Sequence, residues 1–199
     1  MGRDDQGSLK MKAAVVYSTL TGNTRKVAEA FCAGLGEGAE LFDVKDAPDP
    51  AGYDLVAVGF WVDRGHPDQK SMDYMKKITG KKVFSFFTLG AKPKSAHAFK
   101  CAYTAATYYG AGCEQLGSWH CQGAIDPKLI ERMRQMPKVP GNPHAATPET
   151  EARWAAAASH PDAEDLAAAT EAAKAVRQIV TGEDPYAELK AKLKAEGKM

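Results

Sequence analysis

Apolar residues fall along this chain in short runs at two periods, and the alternation between the periods predicts the fold. Lys12–Tyr17 (KAAVVY) is a brief apolar run closed by a turn cluster, as expected of a strand buried on both faces. From Asn23 the period changes. Val27, Ala30, Phe31 and Leu35 share one helical face, and Gly34, Gly36 and Gly38 are expected to end that helix. Glu40–Val44 alternates in the manner of an outer strand, while Asp54–Phe60 and Lys82–Thr88 are again continuous apolar runs. Glu114–Gln122 supplies a fifth strand. Between these lie an amphipathic stretch, 69–78, with Met72, Met75 and Ile78 on one face, and a helix from about Ser95 to Tyr109. In the latter, Tyr103, Thr107, Tyr108 and Tyr109 read as packing residues. Strands and helices alternate five times, which predicts a parallel sheet wound with helices on both faces.

After Gly123 the pattern turns helical. A helix is expected over 126–135, then a proline-rich surface connection over 136–150. Three helical stretches follow, each with a capping side chain near a proline: Thr147 with Pro148, Ser159 with Pro161, and Asp184 with Pro185. The alanine-rich run from Asp162 to Val180 offers Leu166, Ala169, Ala173, Val176 and Ile179 for packing, and the charged segment 184–199 reads as a surface helix. The polar first eleven residues lack the apolar segment of a secretory signal. The expected organisation is a tail (1–11) with Met11 as a candidate functional start, an α/β domain (12–136), and a helical extension (137–199) packed on that domain.

Composition changes this picture little. A chain of 199 residues, 44% apolar and 26% charged, is an ordinary globular protein with one core. Its 26 basic and 25 acidic residues leave a net charge of +1, which argues against a nucleic-acid partner. No apolar run approaches the roughly 20 residues that span a bilayer, so membrane insertion is not expected. Cys32, Cys101, Cys113 and Cys121 are spaced neither as a CxxC pair nor as a zinc site, and read as reduced thiols of a cytoplasmic protein.

The candidate chemistry lies between the first strand and the first helix, in Ser18, Thr19, Leu20, Thr21, Gly22, Asn23 and Thr24. A nucleoside-triphosphate loop needs GxxxxGK[ST], and this one has no such lysine. A dinucleotide loop needs three glycines, and this one has only Gly22. What remains is a cradle of hydroxyls and backbone N–H groups at a helix start, suited to a compact phosphate monoester. Arg25 and Lys26 are expected to face solvent.

The segment STLTGNT resembles the phosphate-binding loop of flavodoxins, a hydroxyl residue followed by x-T-G-x-T. More specifically, the chain is similar to a flavodoxin-like family with GFWVDRGHPD-, FTLGA- and CQG-like stretches and a helical tail containing HPD. Residues 59–68, 86–91, 121–123 and 160–162 match that pattern, and the similarity runs over about 12–180. The resemblance implies a flavodoxin-like five-stranded sheet of order 2-1-3-4-5 with extra C-terminal helices, FMN as cofactor, and a redox function. It also implies contacts to FMN from the loop 18–24, from Phe60, Trp61, Val62, Asp63, Arg64 and Gly65, from Thr88, Leu89, Gly90 and Ala91, and from Gln122. Trp61 would stack on the flavin, Gly65 would let backbone approach its N5, and Gln122 would meet its pyrimidine portion.

Two departures from the typical flavodoxin stand out. The 89–94 loop has no aromatic residue before Phe99, so one flavin face is expected to be open or covered by Pro93. Arg64, His66, Lys92 and Lys94 stand against Asp63 and Asp68 in the ring-side loops, which suits an acidic partner or an anionic substrate. His120 and Cys121, being strand neighbours, should face opposite sides of the sheet and form no nucleophile pair. The expected function is electron transfer to or from a partner oxidoreductase, a pigment- or ene-reductase being one form of such a partner. A small NAD(P)H-dependent FMN or quinone reductase is the alternative, and oligomeric state stays open.

Overall fold

In the computed structural model, which describes residues 2–3, 9–137 and 145–182, five parallel strands form the sheet. They are β1 (Ala13–Tyr17), β2 (Ala39–Asp43), β3 (Leu55–Asp63), β4 (Lys82–Leu89) and β5 (Glu114–Gln122), in the order 2-1-3-4-5. The expected order is therefore the observed one. Among the described residues His66–Pro67 folds back antiparallel on the end of β3, and Gly2–Arg3 with Leu9–Lys10 forms a separate two-stranded ribbon. The helices are α1 (Asn23–Leu35), α2 (Gln69–Met75), α3 (Ala96–Ala106), α4 (Pro127–Arg134), α5 (Pro148–Ala157) and α6 (Ala163–Thr181). The expected helix starting at Asp184 lies outside the described residues. Among those described, no helix is long and apolar enough to cross a membrane.

Each face of the sheet carries its own core. On one, α1 and α6 cover Val15, Leu55, Phe84, Phe86 and Cys121; on the other, α2 and α3 cover Val16, Val58, Phe60, Phe87 and Leu89. Met11 is fully buried in the first core, so the packed region begins one residue before the expected tail boundary.

The α1–α6 contact corrects the reading of Gly34. The helix ends at Leu35, with Gly36 as its cap at φ 71°. Gly34 is instead buried against α6, where a Cβ would meet the Thr170 carbonyl oxygen at 2.4 Å and the Ala173 Cβ at 2.8 Å. Thr170 Oγ1 donates to the Ala30 carbonyl (3.2 Å) and Arg177 Nη1 to that of Leu35 (2.7 Å), so the two backbones approach closely. The face α6 buries is Ala169, Ala173, Val176 and Val180; Ile179 is 56% exposed, one position off the stripe. Its cap is Asp162, in a reciprocal capping box with Asp165, and not Ser159. Thr147 does cap α5, as expected, with Thr150.

Two further corrections bear on the site. Helix α3 stops at Ala106, short of Tyr109. Tyr109 is half-buried with its hydroxyl against Ser85 Oγ (2.8 Å), but Tyr103 is 76% exposed and packs on nothing in the core. In β5 the register slips: Val83 pairs with Gln115 but Ser85 with Ser118, a bulge at Gly117, whose φ is 124°. The extra residue resets which side chains face which layer. Leu116 and Trp119, three apart, both pack on the α1–α6 core.

Candidate functional site

The C-terminal ends of β1, β3, β4 and β5 bring four segments together, the place where open α/β sheets bind ligands. The first is the turn 18–24. Gly22 adopts φ 89° as the N-cap of α1, a left-handed conformation, and gives the helix no side-chain cap. Among the described residues, each of the other five α-helices has a capping side chain: Asp68, Ser95, Asp126, Thr147 and Asp162. The N–H groups of the first turn of α1 are thus left to an anion, which the helix dipole also favours. Thr19 Oγ1 accepts from the Gly22 N–H (3.0 Å), which leaves its own hydroxyl proton to donate. Thr21 and Leu20 are exposed beside it. Arg25 is exposed and pairs along the helix with Glu29 (2.8 Å), and Lys26 is exposed, as expected. No cationic side chain is built into the cradle from α1.

The remaining side chains of this turn face inward. Thr24 and Thr88 share a hydroxyl–hydroxyl bond of 3.0 Å, both buried. Asn23 Nδ2 donates to the Ala124 carbonyl (2.8 Å), just past β5, and the Ala124 N–H donates to the His160 carbonyl (2.8 Å). The C-terminal helical region is therefore hydrogen-bonded, through Ala124, to the start of α1. Ser18 differs from its expected role: its hydroxyl donates to Asp68 Oδ1 (2.8 Å), so its proton is committed to a carboxylate.

Asp68 was not among the expected contacts, and it joins two ends of the site. Its carboxylate accepts from Ser18, from the Ser71 N–H (3.3 Å) and from Ser71 Oγ (2.8 Å). Buried at 4% exposure, it caps α2 and ties β1 to the loop after β3. Its sequence signal is an N-cap: an acid just before Gln69, with Ser71 three residues on.

The second segment follows β3, which runs three residues beyond the expected end. Trp61 pairs in register with Thr88, and Val62 and Asp63 pair with Pro67 and His66. The two-residue turn is Arg64 (φ 51°) and Gly65 (φ 88°), the doubly left-handed conformation that suits a tight hairpin. Asp63 and Arg64 are exposed at its tip, 4.0 Å apart. Trp61 is partly buried, belongs to neither core, and stands near the C-terminal end of β3, at the sheet edge where the site forms. Phe60 is different. Its side chain is fully buried and stacked on Phe87 (ring centroids 4.9 Å), which leaves only its backbone at the site.

The third and fourth segments brace one another. Gln122 Nε2 reaches the Gly90 carbonyl (3.4 Å) and the Gly123 N–H donates to the Leu89 carbonyl (3.0 Å). Gln122 and Leu89 are both buried, so Gln122 serves the loop, while half-buried Gly90 and Ala91 form its rim. His120, which the bulge turns toward α3, donates from Nε2 to the Pro93 carbonyl (2.8 Å) and stacks on Phe87 at 4.6 Å. Cys121 lies in the opposite core, so the two residues form no pair. Burial pushes the thiols of Cys121, Cys101 and Cys32 up, and all four cysteines are free.

The residues present fit FMN. An uncapped helix start with free donors matches a phosphate dianion, and a partly exposed tryptophan near the end of the neighbouring strand can offer a π face to a flavin ring. A shallow groove of about 440 Å³ and mixed polarity, lined by Val44, Asp49, Lys70 and Tyr74, lies apart on the β2 edge.

Comparison with known proteins agrees with this geometry. Residues 14–174 match the family model described as a flavodoxin domain. The chain is 32% identical over 169 residues to the flavodoxin-like domain-containing protein BilS of Clostridioides difficile, covering 82% of this chain and 95% of that one. It is 30% identical over 177 residues to the protein of the same name from Clostridium symbiosum, covering 79% and 92%. Among solved structures, a flavodoxin from the domain Archaea superposes with a TM-score of 0.52 at 15% identity, covering 85% of this chain and 99% of that chain. The chain belongs to the flavodoxin family.

Proposed function

We propose that this protein is an FMN-dependent electron carrier that exchanges electrons with a partner oxidoreductase. FMN is its cofactor, and supplies the capacity to take up and release electrons. The observation that carries the reading is the uncapped start of α1, which follows β1, beside the partly exposed Trp61 on the neighbouring β3. The first-turn N–H groups of α1 and the Thr19 hydroxyl hold the phosphate. Trp61 covers the ring, and Asp68 keeps the two ends at a set separation. The four free thiols, three of them pushed up by burial, take no part in the redox chemistry and suit a cytoplasmic setting.

The test has two steps. Adding FMN to the apo-protein should quench flavin fluorescence and give a one-to-one complex. Mixing the complex anaerobically with NADPH alone should leave the flavin bands unchanged, whereas rapid bleaching would establish a reductase instead.

A further inference from the structure

Helix α3 presents an aromatic face to solvent. Phe99 and Tyr103, four residues apart and so on one side of the helix, are 62% and 76% exposed. Charge along this stretch of chain is one-sided, and the one exposed acid of the neighbouring hairpin, Asp63, stands against Arg64. Between Asp73 and Glu114 the sequence contains no acid and seven lysines, of which Lys92, Lys94 and Lys100 are exposed on α3 or on the loop leading into it. That loop also carries Gly90 and Ala91, the rim of the flavin site.

Phe99 is held in place despite its exposure. Its ring meets His120 edge-on at 6.0 Å, His120 stacks on Phe87 at 4.6 Å, and Phe87 stacks on Phe60 at 4.9 Å. His120 is fixed in turn by its bond to the Pro93 carbonyl. An aromatic side chain already fixed loses little entropy on being covered, which is the character of an interface anchor.

We infer that the solvent face of α3, with Phe99 and Tyr103 at its centre and Lys92, Lys94 and Lys100 around them, docks an acidic protein surface. This rests on the carrier reading and names the chemistry of its partner. A second copy is disfavoured, because a two-fold contact through this face would set its lysines against one another. An acidic face docked here would sit on the loop that borders the flavin rim, so docking would also bring the redox centres close.

Cytochrome b5, an acidic haem protein, serves as the probe and basic cytochrome c as its control. Titrating the isotope-labelled FMN complex with cytochrome b5 should shift amide resonances over 92–103, weaken steeply with added salt, and show no such shifts with cytochrome c. Charge reversal by Lys92→Glu, Lys94→Glu and Lys100→Glu together should lower the affinity at least about tenfold. Tyr103→Ala should lower it at high salt too, where charge is screened. Shifts centred elsewhere, concentration-dependent shifts of the same residues without any partner, or equal shifts with phosphatidylglycerol vesicles would each overturn the proposal. Because the titration reads binding, it stands apart from electron transfer: docking with no oxidation of the complex's flavin, reduced beforehand with dithionite and mixed anaerobically with ferric cytochrome b5, would remove the carrier reading and leave the surface.

Discussion

The two ends of the flavin site are built in different ways. The anion end is local: β1, one turn and α1 follow one another directly, and the ligand is held by backbone donors that any helix start possesses. The ring end is assembled from a distance. Trp61 stands on β3, Gly90 follows β4, and both depend on residues of other elements, Asp68 through Ser18 and His120 through Pro93. The difference teaches that anchoring is a property of a short segment, while orientation of the ring is a property of the whole sheet. Asp68 is where the two ends meet.

Removing that junction should have the largest effect. Asp68→Ala would leave Ser18 and Ser71 without their buried acceptor and α2 without its cap. The loss of stability is expected to be about 2–4 kcal/mol by urea unfolding of the apo-protein. Asp68→Asn, which keeps the cap geometry, should lose less. A loss no greater than that of a surface alanine substitution would show that the two ends are independent.

The anion end can be altered alone. Thr21→Asp places a carboxylate beside the uncapped start of α1, where it repels the phosphate by about 1–2 kcal/mol and favours the empty helix dipole. FMN affinity should fall roughly tenfold while the apo-protein melts no lower, a split that a general folding defect would not produce. The ring end responds more weakly. Trp61→Ala should weaken FMN by about 0.5–1.5 kcal/mol and restore part of the flavin fluorescence, with apo stability unchanged because Trp61 lies outside both cores.

The smallest effect concerns the thiols behind each end. Cys121 pairs in register with Thr88 behind the anion end, and Cys101 is on the buried face of α3 behind the ring end. Burial raises both, so at neutral pH both stay protonated and react with iodoacetamide only as the fold opens. FMN should slow alkylation of Cys121 more than that of Cys101, read by mass spectrometry, if the phosphate secures its end more firmly.

The alternation of strands and helices, the turn 18–24 and the exclusion of triphosphate and dinucleotide ligands were readable from residue order, because each rests on neighbours in the chain, whereas the strand order came from the resemblance to flavodoxins. Continuous apolar runs mark β1, β3 and β4, alternation marks the outer β2, and the start of α1 is legible as a turn cluster feeding a helical period. Other features became visible only in three dimensions. Gly34 reads as a helix stop and is a contact point for α6. Tyr103 reads as packing and is exposed, because α3 places it on the stripe opposite Ala98, Cys101 and Ala105. Ser18 reads as a phosphate ligand and is committed to Asp68, fifty positions away.

The reason is the same in each case. Periodicity and turn chemistry report energies between residues close in sequence, so they set which elements form and where the anion end lies. The facing of His120 and Cys121 depended on a single extra residue at Gly117, and the use of each hydroxyl on which acceptor the fold brought within 3 Å. Those are contacts between distant segments, decided by packing, and they are what separates the ring end and the α3 face of this flavodoxin from the anchor it shares with its family.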